Sequence, residues 1–237
     1  TQGEYIFAGG ILMNVQAKTH FELEVYGKAP NITNAFYEAA KSTPLASTTL
    51  RSISHYESAI YIKGKSTNPE SLFQLVQAGN AILKTGGFAI LVDISGKAYD
   101  PQIWDSISHE LDLGNLCDVF VLDLLSDDSG RLFSCGMKLF NMKDAMIIGE
   151  DFESAHELMR GFNYYRIVVQ PTILENQTFS LTKEAPKFRI TNLKKQPYSG
   201  QKELENPFGM WQLTRVGTEA TGSETPQKSW LRRLFRK

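Results

Sequence analysis

Several chemistries are missing from this chain of 237 residues, and each absence narrows what it can do. Cysteine is nearly so: only Cys117 and Cys135 occur. Two thiols without paired spacing exclude a disulfide framework of the kind that holds small secreted domains together, and point to a reducing, cytoplasmic setting. Net charge is nearly absent as well, with 25 Lys plus Arg against 26 Asp plus Glu. A balanced chain offers no overall attraction to nucleic acid, and no nucleic-acid partner is expected. Long hydrophobic runs are also missing. The longest near the start, Tyr5 to Met13, is broken by Gly9 and Gly10 and lacks a basic flank or small-residue cleavage site, so neither a signal peptide nor a membrane span is expected.

The motifs of common catalysis and metal binding are incomplete. His109-Glu110-Leu111 and His156-Glu157-Leu158 each start like a zinc-binding helix. The second imidazole would have to stand four positions after the first, where Leu113 and Arg160 are found. No metal and no cofactor are expected. Gly96-Lys97 follows an apolar run as in a phosphate loop, but no glycine stands four residues before the pair and Ala98 follows it. A Gly-x-Ser-x-Gly elbow does not occur, and Ser54-His55 and Ser108-His109 are neighbours in sequence only. Catalytic residues are therefore not assigned.

What is present is ordinary globular composition, with 42% hydrophobic and 22% charged residues, enough to build a core. Phe21, Leu23 and Val25 alternate with polar neighbours, which predicts a strand with one buried face. Pro30 ends it, and Ile32, Phe36, Ala39 and Ala40 keep helical spacing. Ser58 to Lys63 is a second strand. Asn68 before Pro69 predicts a capped helix whose apolar face is Leu72, Leu75, Val76, Gly79, Ile82 and Leu83, stopped by Gly86 and Gly87. Phe88 to Val92 reads as a strand buried on both faces, and Asp100-Pro101 as the cap of a short helix carrying Ile103, Trp104 and Ile107.

Farther on, Cys117 to Leu125 and Arg131 to Lys138 flank a polar turn and predict an antiparallel hairpin. Asp144 to Gly149 is a third strand. Asp151 leads a helix with the face Phe152, Ala155, Leu158, Met159 and Phe162. Strands are expected at Ile167 to Gln170, Thr178 to Leu181, Lys187 to Thr191 and Met210 to Val216. These elements form an α+β fold, a largely antiparallel sheet with helices packed on one face, in a single domain over 1–216.

Two places are candidates for binding. Asp93, Ser95 and Lys97 follow a buried strand, where α/β sheets hold anionic ligands, and His55 could arrive from a neighbouring strand. The alternative function is thus a small-molecule enzyme or sensor for an anionic ligand. The second place is the end of the chain. Over 217–237, a Gly, Thr, Ser and Glu-rich linker leads to Trp230, Leu231, Arg232, Arg233, Leu234, Phe235, Arg236 and Lys237, with apolar residues on one helix face and basic ones on the other. That surface suits an acidic protein groove or an anionic membrane.

His55-Tyr56-Glu57-Ser58-Ala59-Ile60-Tyr61-Ile62, Gly86 to Ser95, Asp100-Pro101-Gln102-Ile103-Trp104, Leu132 to Met137 and Phe140 to Asp144 together resemble a family of bacterial domains of unknown function. The resemblance spans about residues 50–165. It implies a bacterial α+β protein that binds another protein, as an immunity or secretion-system accessory factor. With no catalytic spacing in view, a non-enzymatic interaction factor with an unidentified protein partner is the expected function. Eight residues are too few to hold a helix alone in water. Deleting Trp230 to Lys237 is therefore expected to leave the melting temperature nearly unchanged while weakening vesicle or partner binding in a salt-dependent way, read by calorimetry and co-sedimentation.

Overall fold

The computed structural model describes residues 4–64, 68–127, 129–194, 196 and 205–217. The chain divides into two compact units, one up to Leu116 and one from Cys117 onward, where the sequence reading has a single domain over 1–216. The terminal segment Trp230 to Lys237 lies outside the described residues.

In the first unit β1 (Tyr5–Ala8), β2 (Ile11–Asn14) and β3 (Thr19–Gly27) form an antiparallel meander. Gly9 and Gly10 both take positive φ, +59° and +80°, as the two-residue turn of a tight hairpin requires, so the glycines that interrupt the apolar run make it two strands. Asn14 is buried, and its Oδ1 accepts from the amides of Gln16 and Ala17 at 3.0 and 2.9 Å, closing the next turn.

After β3 come α1 (Pro30–Ala39) and α2 (Ser47–Ser54), and then β4 (Ser58–Lys63) returns antiparallel to β3, giving the sheet order β1-β2-β3-β4. Tyr56 fixes the start of α1, because its hydroxyl donates to the Ala29 carbonyl at 3.0 Å and accepts from the Ala29 amide at 2.7 Å.

α3 (Pro69–Leu83) covers one face of this sheet. Asn68 caps it as its sequence predicts, accepting from the Ser71 amide at 2.9 Å, a bond worth about 1 kcal/mol. Leu75, Ala78 and Ile82 pack on Leu12, Phe21, Leu23 and Ile62. Next, β5 (Ile90–Val92) and β6 (Lys97–Tyr99) form a two-stranded hairpin of their own. The expectation of a strand buried on both faces is corrected here: only Val92 is buried and Phe88 is exposed, because the segment pairs with its own return instead of entering a larger sheet.

α4 (Pro101–His109) follows. Asp100 precedes it as read, but its carboxylate does not cap it: Oδ2 accepts from the Ala46 amide at 3.0 Å, ahead of α2. Trp104 Nε1 donates to the Val76 carbonyl at 3.1 Å, and the indole lies so close to Gly79 that a Cβ there would come within 3.2 Å of it. Asn80, buried, donates to Asp105 Oδ1 at 2.9 Å and Ser108 Oγ at 2.7 Å. Gly79 and Asn80 thus let α3 and α4 touch.

α5 (Leu113–Phe120) corrects the strand expected from Cys117. Asp112 Oδ1 accepts from the Asn115 amide at 2.7 Å, and Leu113, Leu116, Cys117 and Phe120 recur at helical spacing, which outweighs the β preference of Val119 and Val121.

In the second unit β7 (Leu122–Ser126) and β8 (Leu132–Cys135) form the expected hairpin, and β9 (Asp144–Ile147) pairs antiparallel with β8. A 3₁₀ turn at Met137–Phe140 separates them. α6 (Phe152–Val168) is capped by Asp151, which accepts from the Ser154 amide at 3.0 Å. The helix continues to Val168 and overturns the strand expected at Ile167 to Gln170. Arg166 and Ile167 extend its buried face, and Gln170 at φ +52° marks the stop.

β10 (Thr178–Phe179), β11 (Phe188–Leu193) and β12 (Met210–Arg215) complete the sheet β10-β11-β12-β9-β8-β7, in which only the β12 to β9 pair is parallel. α6 lays Ala155, Leu158, Met159 and Phe162 on Leu124, Leu132, Ala145, Ile147, Ile190 and Leu213, which form one face of the sheet. The fold is α+β and largely antiparallel.

Gly136 sits against the backbone of this unit with no room for a side chain. Its φ is +111°, and a Cβ there would stand 2.2 Å from the Phe120 carbonyl oxygen. Gly136→Ala is expected to cost about 2–4 kcal/mol in urea unfolding, and Gly130→Ala, also at positive φ but with open space around it, about 1 kcal/mol.

Candidate interaction surface

Of the residues singled out from the sequence, Asp93, Ser95 and Lys97 lie on one hairpin, and His55 closes α2. Asp93, Ser95 and Gly96 form the turn of the β5–β6 hairpin, in which the amides of Ser95 and Gly96 donate to the Val92 carbonyl at 3.2 and 2.8 Å. This is a corner between antiparallel strands. It is not the carboxyl end of a parallel strand, the setting in which α/β sheets hold anionic ligands. Ser95 is buried with Oγ 3.4 Å from the same carbonyl, and Lys97 opens β6. Asp93 reaches the surface, yet surrounding protein removes enough water to push its carboxyl pKa up. His55 closes α2, where its Nδ1 lies 2.8 Å from Ser54 Oγ and 2.9 Å from the Arg51 carbonyl, bonds that are local to its own helix.

A larger and more continuous feature lies on the four-stranded sheet. Side chains alternate along a strand, so the face opposite α3 is read directly from the register. Ile6 stands opposite Met13, Ala8 opposite Ile11, Ile11 opposite Glu22, and Glu22 opposite Lys63. Tyr26 and Tyr61 share that face, edge to face, with ring centroids 5.4 Å apart at 80°. None of this row is covered: Ile6 is 38% exposed, Ile11 44%, Met13 42%, Tyr26 48% and Tyr61 36%.

An isolated exposed leucine is unremarkable, whereas a sheet face carrying Ile6, Ile11 and Met13 side by side, and a tyrosine pair beyond Glu22 and Lys63, is the kind of surface that contacts partners. Its polar members are ordered. Lys63 Nζ lies 2.5 Å from Glu24 and the Tyr26 hydroxyl donates to Glu24 at 2.7 Å, which together hold that carboxyl below the usual range. Tyrosines fixed in this way lose little side-chain freedom on binding. The sequence carried a partial signal for this face. The interrupted run from Tyr5 to Met13 is apolar at successive positions, so its strands must expose apolar side chains on one face or the other.

The second unit holds a buried polar network that sequence reading missed. Asn163 on α6 donates to Asp123 Oδ1 at 3.0 Å and accepts from Arg166 Nη2 at 2.5 Å, and Arg166 Nη1 donates to the Lys143 carbonyl. Asn206 donates to Asp144 Oδ2 at 2.8 Å and to the Met142 carbonyl at 2.9 Å. Asp144, Asn163, Arg166 and Asn206 are all nearly or wholly inaccessible to solvent. Burial lowers the Arg166 pKa to about 10, against which the Asp144 charge acts. The guanidinium also lies over the Phe162 ring, 4.4 Å from its centroid. The signal was available, since Asn163 and Arg166 continue the spacing of Met159 and Phe162 on the apolar face.

Among the described residues no group of three or more His, Cys, Asp or Glu is placed to hold a metal, and no helix is long and apolar enough to cross a membrane. Comparison with family models, curated proteins and solved structures finds no match for this chain.

Cys135 adjoins the network, and burial, then the Asp144 charge, raises its thiol pKa to about 12. An unfolded thiol ionises near its ordinary 9.0, so between that value and about 12 the unfolded state has already lost the proton that the native state keeps. Stability is therefore expected to fall as pH rises through this window, with a shallower slope in Cys135→Ala. Native Cys135 is expected to resist alkylation at mildly alkaline pH, as followed by mass spectrometry.

Proposed function

We propose that this chain is a non-enzymatic protein-interaction factor whose contact surface is the uncovered face of the β1–β4 sheet. The observation that carries this reading is the exposed group Ile6, Ile11 and Met13 on one face of the sheet, with the Tyr26–Tyr61 pair on the same face and Glu22, Glu24 and Lys63 between them. Aliphatic and aromatic area supplies affinity on excluding water, and the interspersed charges select orientation. The partner that fits has an apolar patch with a basic group able to meet Glu22, which is exposed beside Ile11. The bacterial resemblance extends this proposal to an immunity or secretion-system accessory role in the cytoplasm.

The test uses the full chain as bait in bacterial lysate, beside a variant carrying Ile11→Lys and Met13→Lys. Both side chains are exposed, so the variant is expected to fold, with an unchanged far-ultraviolet spectrum. A protein retained by the wild type and reduced at least about tenfold on the variant supports the surface, a loss of about 1.4 kcal/mol or more. Equal retention by both, or no retained protein, overturns it.

A further inference from the structure

Among the described residues the four-stranded sheet ends in β1, which pairs on one side only. Ala8 and Ile11 flank the Gly9-Gly10 turn, and in a two-residue hairpin that flanking pair exchanges hydrogen bonds. Bonded pairs then recur at every second position, at Ile6 with Met13 and at Glu4 with Val15. The last is confirmed by the Val15 amide donating to the Glu4 carbonyl at 2.9 Å. The amides and carbonyls of Tyr5 and Phe7 must therefore point away from β2, out of the sheet.

The other edges of the four- and six-stranded sheets carry features that discourage pairing. β10 has only two residues, β7 has a register irregularity between Leu122 and Leu125, and β4 ends in Lys63. Tyr5–Ala8 contains no charge, proline or bulge, and Phe7 is 59% exposed.

We propose that two copies of this chain pair through β1, antiparallel about a two-fold axis at Ile6, to make one continuous eight-stranded sheet. In this register the outward groups of Tyr5 bond those of the other copy's Phe7, and the reverse. Both are positions whose hydrogen-bonding groups are unused by β2. Ile6 meets Ile6 at the closer, non-bonded spacing on the sheet face that carries Met13. Glu4 falls opposite Ala8, so no like charges face each other. The neutrality of this edge is what suits a second copy: any charge near the axis would be met by itself. The strand pair is short, so the dimer is expected to be weak and concentration-dependent. It goes beyond the partner surface above, because it uses the main chain of Tyr5 and Phe7.

Sedimentation velocity of the full chain between about 1 and about 300 µM is expected to show monomer passing to dimer. Ile6→Lys and Ile6→Glu would each place two like charges in direct opposition, and each variant is expected to stay monomeric with an unchanged far-ultraviolet spectrum. An equimolar mixture of the two is expected to recover the dimer, which neither misfolding nor a different interface would produce. A wild type that remains monomeric throughout overturns the proposal. So does an Ile6→Lys variant that dimerises like the wild type. Neither result depends on a foreign partner, so the fate of the interaction surface is decided separately.

Discussion

A buried guanidinium is the constraint on which the second unit depends. Arg166 sits on the face of α6 that covers the sheet, where an uncompensated charge would cost several kcal/mol. It is compensated by Asn163 on its own helix, the carbonyl of Lys143 just before β9, and the nearby charge of Asp144. Each of these groups is held in turn. Asn163 donates to Asp123 on β7, and Asp144 accepts from Asn206 ahead of β12. Helix, hairpin and the parallel β12 to β9 pair are thereby registered against one another. Apolar packing alone would tolerate a helix displaced along the sheet; a guanidinium with directional partners does not.

The first unit also registers two helices through directional hydrogen bonds. α3 and α4 are joined by the Trp104 indole on a helix carbonyl and by Asn80 between Asp105 and Ser108. The approach is possible because residue 79 has no side chain. With α3 placed on the Leu12, Phe21 and Leu23 face, the opposite face of the meander stays uncovered. A sheet covered on one side normally puts polar residues on the other. Here Ile11, Met13, Tyr26 and Tyr61 share it with Glu22, Glu24 and Lys63, and that departure from the pattern is what the proposed interaction surface rests on.

The hairpin turn at Asp93 and Ser95 shows how local chemistry can mislead. A strand followed by a polar turn and a capped helix reads as one half of an α/β unit. The chain in fact turns back on itself at Gly96, and Asp100 directs its carboxylate to the start of α2 instead of its own helix. Nothing within those residues distinguishes the two outcomes, because both need the same turn formers.

Local rules by themselves determined the helix from Asn68 to Gly86, the helix begun by Asp151, the β7–β8 hairpin, and the strands at Ser58 to Lys63 and Met210 to Arg215. In each, period, cap or turn chemistry agreed with the final packing. The tertiary structure decided the rest. Cys117 went to a helix and Ile167 stayed in one because burial on an existing face outweighs the modest β preference of branched residues. Which face of the first sheet remained open, and which edge, were equally beyond the sequence. A strand's two faces become inside and outside only when a helix covers one of them. The β1 edge is open because, among the described residues, no later strand pairs with it.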